Sequence, residues 1–562
     1  MWRLVALALA GLMTEEAGAE WGRTADDYHV LPLGSPPNHS SALCSDLNGG
    51  CWVAGDPVGL CHVDRLGNLT WGDTALWLEE PGYNACLTPV DTESVIVAMQ
   101  RYENGDVPKI YLNRINLAQE LMWGRDGLAL DASDRLQFIF GIGAGPVANT
   151  YLIHWDRVDE DFREHDRRLQ LVNSDGEFLW GASGIGLNGW SEKTSRIITT
   201  SDHCVIAAHP VDPIPTVEVV KISANGERLW QRRFNITAEE YVRGWQPTDA
   251  ESDRDGGIIL VNKYKRWASL DDSLRYFVLN ILRISGDGDS LWTHKVFERQ
   301  VEHDRIWGKI KDPFIQCYFV LNYAGSDCFF AAWLDNPEYI GDSFRVISFD
   351  VDGAFHWNDP VDVALSASNF GNLIGVDSDS SVFYIWHDGD RDRGDRSIQQ
   401  WGQRISLNGE RMWEDQGRAI QTRTPWHHSA TTDCNGGVIT IVEFAYPAVQ
   451  MMNRNGVIGA VLPPVSVHED RHDSYPKISI IGSVYPNPFN SSSTLSFTLP
   501  SPGRYTLSAF DLAGRDAGRI AEGVLPVGTH SLRWTAPGAG VWFVRLSDGK
   551  GNAATIRAVC VP

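Results

Sequence analysis

A chain of 562 residues with 43% hydrophobic and 21% charged residues is long enough for at least two folded units, and its composition excludes a mainly disordered or collagen-like polymer. Lys plus Arg number 48 against 72 Asp plus Glu, and a net charge of −24 repels phosphate backbones, so no nucleic acid partner is expected. Nine cysteines are too few to form a disulfide scaffold at this length.

Met1-Trp2-Arg3, the apolar run from Leu4 to Met13 and the small residues Ala17-Gly18-Ala19 predict a secretory signal over residues 1–19, with mature chain beginning near Glu20. The run is too short to span a bilayer and no other stretch is long and apolar enough, so no transmembrane segment is expected.

From there to about residue 460 one motif recurs. LGNLTW, AQELMW, DGEFLW, NGERLW, DGDSLW, DGAFHW and NGERMW end at Trp71, Trp123, Trp180, Trp230, Trp292, Trp357 and Trp413, separated by 52, 57, 50, 62, 65 and 56 residues. Such a period belongs to propeller blades, not to helical or leucine-rich solenoids. An eighth copy, Asn455-Gly456-Val457-Ile458-Gly459, keeps the turn and lacks the Trp. Five of the seven Trp copies carry Asp-Gly or Asn-Gly, the pair suited to a two-residue type I′ hairpin, and the strand beyond the turn delivers its indole to the face packed against the next sheet. Burial of one indole is worth on the order of 4–6 kcal/mol before entropy.

A short apolar strand precedes each hairpin, and Cys51, Cys204 and Cys328 share one position in it, where Gly437 stands in the last copy. A small side chain is required there for packing. Cys44, Cys51, Cys61 and Cys86 are close enough in sequence to staple the first blade, or they are small buried thiols. The repeats resemble the tryptophan-docked, quinoprotein-like propeller repeat, in which Gly stands four residues before Trp; Gln119 and Leu66 depart from it. The resemblance covers residues 24–460 and implies a seven- or eight-bladed β-propeller. The vicinal cysteines of a quinone alcohol dehydrogenase are not evident, and no cofactor is expected from it.

Residues 463–478 read as a linker, with Pro463, Pro464 and Pro476 around a charged stretch. Its His468-Glu469-Asp470-Arg471-His472 formally matches a zinc-protease helix, but Pro, Ser and Asp on both flanks leave no helix to carry it. Residues 479–562 return to period-two alternation: Leu495, Phe497, Leu499; Tyr505, Leu507, Ala509; His530, Leu532, Trp534; Val541, Phe543, Arg545. About seven strands with Gly and Pro turns predict an immunoglobulin-like β-sandwich, making the whole chain all-β.

Tyr485-Pro486-Asn487-Pro488-Phe489-Asn490, then Asp511, Gly514 and Arg515, and Gly540-Val541-Trp542-Phe543 are similar to the C-terminal sorting domain of type IX secretion cargo. That resemblance implies passage of the inner membrane on the signal and of the outer membrane by recognition of the C-terminal domain. The outer-membrane secretion machinery is then a partner, and the protein is secreted or attached to the outer surface.

Asp388, Asp390 and Asp392 offer carboxylates at alternating positions, as calcium loops do, which makes Ca²⁺ the one candidate cofactor; Arg393 at the sixth position and a competing Arg391 favour a solvated loop. Gly141 to Pro146 reads as a glycine-rich turn between blades, because no helix follows it to hold a phosphate. His427-His428 reads as a surface pair, Arg393-Gly394-Asp395 as a chance tripeptide, and no nucleophile elbow or paired-cysteine metal spacing occurs. No catalytic residue is identified. The expectation is a non-catalytic propeller presenting a binding surface for an unknown extracellular glycan, peptide or other polymer; the rival is a secreted hydrolase or polysaccharide-cleaving enzyme with groups from separate blades at the channel mouth.

Overall fold

The computed structural model describes residues 21, 29–33, 41–78, 82–103, 107–188, 196–211, 216–237, 242–267, 275–301, 319–323, 328–335, 343–364, 374–378, 381–388, 399–422, 427–443, 447–458, 481–485, 487, 489–499, 503–510, 515–525, 528–547 and 553–561. All regular structure among them is β, in two compact units, Met1–Leu462 and Pro463–Pro562.

In the first unit the described residues form eight four-stranded antiparallel sheets. Sheet 1 holds Ala42–Ser45, Cys51–Ala54, Gly59–Val63 and Leu76–Trp77; sheet 2 holds Tyr83–Asp91, Ser94–Glu103, Val107–Asn116 and Leu128–Ala129. Leu136–Ala144, Thr150–Val158, His165–Asn173 and Ile185–Asn188 make sheet 3, and Arg196–Thr199, Cys204–Val211, Thr216–Ser223 and Arg228–Asn235 make sheet 4. Sheet 5 comprises Val242–Ser252, Ile258–Trp267, Arg275–Ile284 and Ser290–Val301; sheet 6 comprises Phe319–Tyr323, Cys328–Asp335, Ser343–Asp350 and Val361–Asp362. Sheet 7 is built from Ile374–Ser378, Ser381–Asp388, Gln399–Ser406 and Arg418–Gln421. Sheet 8 takes three strands from His427–Thr432, Val438–Glu443 and Pro447–Met452, and its fourth from the other end of the chain, His29–Val30, which pairs with Val449 and Ala448.

Strands buried on both faces explain why the middle strands read as continuous apolar runs: Cys51–Ala54, a second strand, and Pro447–Met452, a third, are buried throughout. Each face packs on a neighbour. One apolar cluster joins sheet 6 to sheet 7 through Phe330, Phe344, Tyr384 and Trp386, and another joins sheet 8 to sheet 1 through Ile439, Met451, Cys51, Val63 and the N-terminal Trp21, Leu31 and Leu33. The ring is therefore a β-propeller, closed by non-covalent packing of an N-terminal strand on the last sheet.

The repeated motif is the tie between sheets. The indole Nε1 of Trp71 donates to the carbonyl of Leu117 at 2.8 Å, and those of Trp123, Trp180, Trp230, Trp292 and Trp357 donate to Ser174, Ala224, Gly286, Val351 and Leu407 at 3.2, 2.8, 2.9, 3.0 and 3.1 Å. Every acceptor lies in the hairpin turn of the next sheet. The turn glycine must be small because that indole lies against it: a Cβ on Gly226 would sit 2.9 Å from Trp180, and one on Gly409 2.9 Å from Trp357. Cations one strand position earlier reinforce the tie, with Lys221 donating to Gly286, Arg283 to Val351 and Arg404 to Arg454, all at 3.0 Å.

The eighth copy lacks an indole, and the junction it leaves is filled from the other end of the chain. Trp21 Nε1 donates to the carbonyl of Arg65 at 2.9 Å, in the turn of sheet 1. Trp21 thus completes the docking series at the seam.

Two expectations are corrected. The hairpin turn is not type I′: in the fourth sheet Ser223 N–H donates to Glu227 and Gly226 N–H to Ser223, both at 2.9 Å, so three residues intervene. A type I turn followed by one left-handed residue fits that length, and only the glycine, with φ of 85° at Gly226, adopts positive φ. Gln119 takes the same conformation, at φ 63°, without being glycine. Gly141 and Gly143 lie inside the first strand of sheet 3, not in a turn between blades. A bulge at Phe140 brings the backbone against His154, and a Cβ on Gly141 would meet His154 Nε2 at 2.5 Å. Cys44, Cys51, Cys61 and Cys86 are free thiols, and burial raises each of them, Cys61 and Cys86 to about 12.

The second unit packs a three-stranded sheet, Ile481–Tyr485, Ser492–Leu499 and Gly528–Thr535, on a five-stranded one, Phe489–Asn490, Ala553–Val561, Gly540–Ser547, Gly503–Phe510 and Asp516–Leu525. Leu495, Phe497, Leu499, Tyr505, Leu507, Ala509 and Trp534 form its core, as alternation requires. In Gly540–Ser547 the buried positions are Val544 and Leu546, so the parity is opposite to that read from Val541 and Phe543. The edge of the strand is exposed at Gly540, and the inward face begins only where Leu507 and Ala509 meet Leu546 and Val544.

Candidate functional site

The strand ends and the loops that join them lie on two faces of the ring. One face carries the tight turns, where Asp46, Asp253 and Asp433 each accept two backbone N–H bonds, for example Gly50 to Asp46 at 2.8 Å and Gly257 to Asp253 at 2.7 Å. Those carboxylates, with partners such as Arg283 to Asp253 at 2.9 Å and His62 to Asp46 at 3.1 Å, hold turns in shape.

The opposite face, where second strands end and third strands begin, carries the exposed rings of Tyr102 and Phe162. In sheet 2, Tyr102 is 52% exposed and backed edge-on by Tyr83 at 5.6 Å. Beside it the Arg101 guanidinium lies 4.6 Å over Tyr111, whose hydroxyl donates to Glu103. Burial and the adjoining Glu103 push the Tyr111 phenol up to about 12, so it remains a donor at all ordinary pH. Lys109 of the same sheet donates to the carbonyl of Arg135 at 3.2 Å, joining sheet 2 to the start of sheet 3.

In sheet 3 the loop between the second and third strands lifts Phe162 to 58% exposure with Phe138 behind it at 6.0 Å. Phe162 has φ of 56°. A bulky residue rarely adopts that left-handed conformation, and the loop enforces it: Phe162 N–H donates to the Asp159 carbonyl at 3.0 Å, while the Asp159 carboxylate accepts Arg163 N–H at 2.6 Å and Glu164 N–H at 3.0 Å. Those two backbone donors hold Asp159 below the usual carboxylate range. Arg135 and Glu164 pair at 3.1 Å beside the loop.

Beneath lies a polar layer between sheets 3 and 4. Arg167 packs 4.0 Å over the Phe140 ring and pairs with Asp156 at 2.6 Å, and His165 lies 3.5 Å from the same carboxylate. Burial, with the Arg167 charge added, lowers both His154 and His209 to about 4, so both are neutral at pH 7. Arg157 bridges Asp131 at 3.1 Å and Asp166 at 2.6 Å. On the innermost strands, desolvation raises Asp249, whose carboxylate accepts Leu321 N–H at 2.9 Å and approaches Arg196 at 4.0 Å. Asp249 thereby links the first strands of sheets 4, 5 and 6.

Of the residues singled out by sequence, the seven repeat tryptophans are structural ties; Trp413 packs on Gly456. Asp390 and Asp392 lie outside the described residues, as do His468, Glu469, His472, Pro486, Pro488, Asp511 and Gly514; Asp388 is at a strand end with its side chain not described. Among the described residues no group of three or more His, Cys, Asp and Glu could hold a metal ion, and no helix is long and apolar enough to cross a membrane. In the sandwich, Asn487 clamps the final strand, donating to the Arg557 carbonyl at 3.1 Å and accepting Val559 N–H at 2.7 Å. Phe489 is buried against Trp534 at 5.8 Å, and Arg515 is exposed. The displayed rings went unread in the sequence. Their one local signal is a lone aromatic inside a charged run, Asp159-Glu160-Asp161-Phe162-Arg163-Glu164.

No family model and no curated protein matches the sequence. Among solved structures the chain is similar to a quinohemoprotein alcohol dehydrogenase from Pseudomonas putida, with a TM-score of 0.41 and 11% identity over 83% of this chain and 79% of that one. It is also similar to a fungal alcohol oxidase in complex with copper, with a TM-score of 0.38 and 9% identity over 84% of this chain and 95% of that one. The β-propeller domain of the Trilobed protease from Pyrococcus furiosus gives a TM-score of 0.37 and 9% identity over 65% of this chain and 92% of that one. At these identities the likeness is one of fold.

Proposed function

We propose that this chain is an exported binding protein, an eight-bladed propeller that holds an extracellular polymer on its ring-displaying face and is delivered to the outer surface or the medium by an immunoglobulin-like C-terminal sorting domain. The observation that carries the binding reading is the pairing of solvent-exposed rings with polar groups already locked to one another. Asp156 is engaged by Arg167 and Asp166 by Arg157, so these carboxylates spend their charge on architecture. A hydrolytic site needs a carboxyl or imidazole poised to exchange a proton near neutrality, whereas His154 and His209 titrate near 4.

Export is supported by the leader-like residues 1–19 at one end and, at the other, by the likeness of Tyr485–Asn490, Asp511, Gly514 and Arg515 to the sorting-domain pattern. The test is to express the full chain and a chain ending at residue 478 in a host that possesses the type IX apparatus, then assay medium, surface and periplasm. The full chain is expected outside and the shortened one in the periplasm; equal export of both removes the sorting reading. Incubation of the purified chain with polymers is expected to give saturable binding without product, and turnover would favour the rival hydrolase.

A further inference from the structure

We infer that the sandwich accepts an extended peptide as a fourth strand of its shorter sheet, a peptide in which apolar and acidic side chains alternate. This docking surface is independent of the export and binding readings above. The sandwich sets three strands against five, and Gly528–Thr535 and Asp516–Leu525 are the outermost strands of the two sheets on one side. Between these two edges an apolar cavity of about 170 Å³ opens, with Phe497, Tyr505, Leu507, Leu532 and Leu546 in its wall. An apolar cavity of that size admits a group as large as a benzene ring. Gly523 also lines it, and a Cβ there would meet nothing within 4 Å. The cavity lies where a fourth strand of the shorter sheet would cover the larger one.

The edge strand sets the chemistry of the occupant. Ala536 N–H donates to the Ser491 carbonyl at 3.1 Å, and the ladder of Ser492–Leu499 with Gly528–Thr535 runs on from it without a register shift. Bonded pairs alternate along an antiparallel ladder, so His530, Leu532 and Trp534 turn their backbone groups toward Ser492–Leu499, whereas Ser531 and Arg533 turn theirs outward. The adjoining edge, Asp516–Leu525, is guarded by two register shifts and by the paired charges of Arg519 and Glu522. Gly528–Thr535 has neither a shift nor a Pro, and its outward groups are those a further strand would bond. Side chains of such a strand point alternately at the cavity and at solvent, so the first set must be apolar. The second set stands beside Arg533, which donates to the neutral Ser492 hydroxyl at 3.1 and 2.8 Å and has no carboxylate partner among the described residues. Residues 479–562 carry seven basic against four acidic residues in a chain of net charge −24, so an acidic side chain on that face meets a positive field.

The test is fluorescence anisotropy of a labelled octapeptide of four Glu-Val repeats titrated with the full chain, with Lys-Val and Glu-Ser octapeptides as controls. The Glu-Val peptide is expected to bind saturably and both controls about tenfold more weakly. Ser531→Pro removes one outward N–H at an edge, where Pro is tolerated, and Gly523→Leu fills the cavity; each is expected to raise Kd about tenfold. Gly523→Leu is also expected to unfold at or above the parent's temperature, which separates lost binding from lost fold. The inference is overturned if the Glu-Val peptide does not bind, if it binds both variants as it binds the parent, or if the Lys-Val peptide binds as tightly. Self-association of the full chain that S531P abolishes, without peptide binding, would make a second copy the occupant and overturn it likewise.

Discussion

Replacing Trp21 by Ala should open the propeller at one seam. The indole is 3% exposed, donates to Arg65 O at 2.9 Å, and lies in the cluster that joins Ile439, Val449 and Met451 of sheet 8 to Cys51, Val53 and Val63 of sheet 1. Removing a buried indole costs about 3–5 kcal/mol, and at this junction the partner strand His29–Val30 contributes only a two-residue ladder to resist separation. That loss converts to about two to three and a half orders of magnitude in the opening equilibrium. Hydrogen exchange followed by mass spectrometry reads it directly: amides of Ala42–Ser45 and Pro447–Met452 are expected to lose protection by that factor, while those of sheets 3 to 6 change little. Trp230→Ala serves as the contrast, its loss falling between sheets 4 and 5. Unchanged protection at the seam in W21A would refute the reasoning.

Acid should loosen the interface of sheets 3 and 4. His154 and His209 titrate near 4 in the fold and at about 6.5 when unfolded, so their contribution is complete above pH 6.5 and is lost as pH falls from there to about 4. The urea midpoint is expected to drop across that window, and H154Q/H209Q to flatten the drop. Gly141→Ala should cost about 1–3 kcal/mol in the same denaturation assay, because the new methyl must displace His154. Asn487→Ala removes two bonds to the last strand of the sandwich, about 1–3 kcal/mol together, and should increase amide exchange at Val559 without affecting the propeller.

The repeat was legible because one physical contact dictates it. An indole that must reach the next hairpin and a residue there without a Cβ recur at a spacing of four, and seven copies make the pattern unmistakable even where Gln119 breaks it. Trp21 was not legible, since it serves the eighth junction from outside the period, some 440 residues from the hairpin whose missing indole it replaces. The turn type was misread for a related reason: Asp-Gly fits both a two-residue and a three-residue loop, and only the pairing of Ser223 with Glu227 decides between them. The exposed rings were not legible in the sequence, because Tyr102 and Phe162 belong to no repeated position of the blades. In the sandwich, buried Leu495 and Phe497 followed from alternation, whereas the strand Gly540–Ser547 has apolar residues on both faces and its parity had to come from its neighbour.

Closure of eight indole-tied sheets by the N-terminal strand is tested most directly by a disulfide across the seam. Val30 pairs with Ala448 in antiparallel register. The V30C/A448C variant, oxidised and digested, is expected to yield a cross-linked peptide pair in monomeric protein, with V30C/Q450C giving little. Absence of the V30C/A448C cross-link, or its appearance only between two chains, would contradict the closed ring.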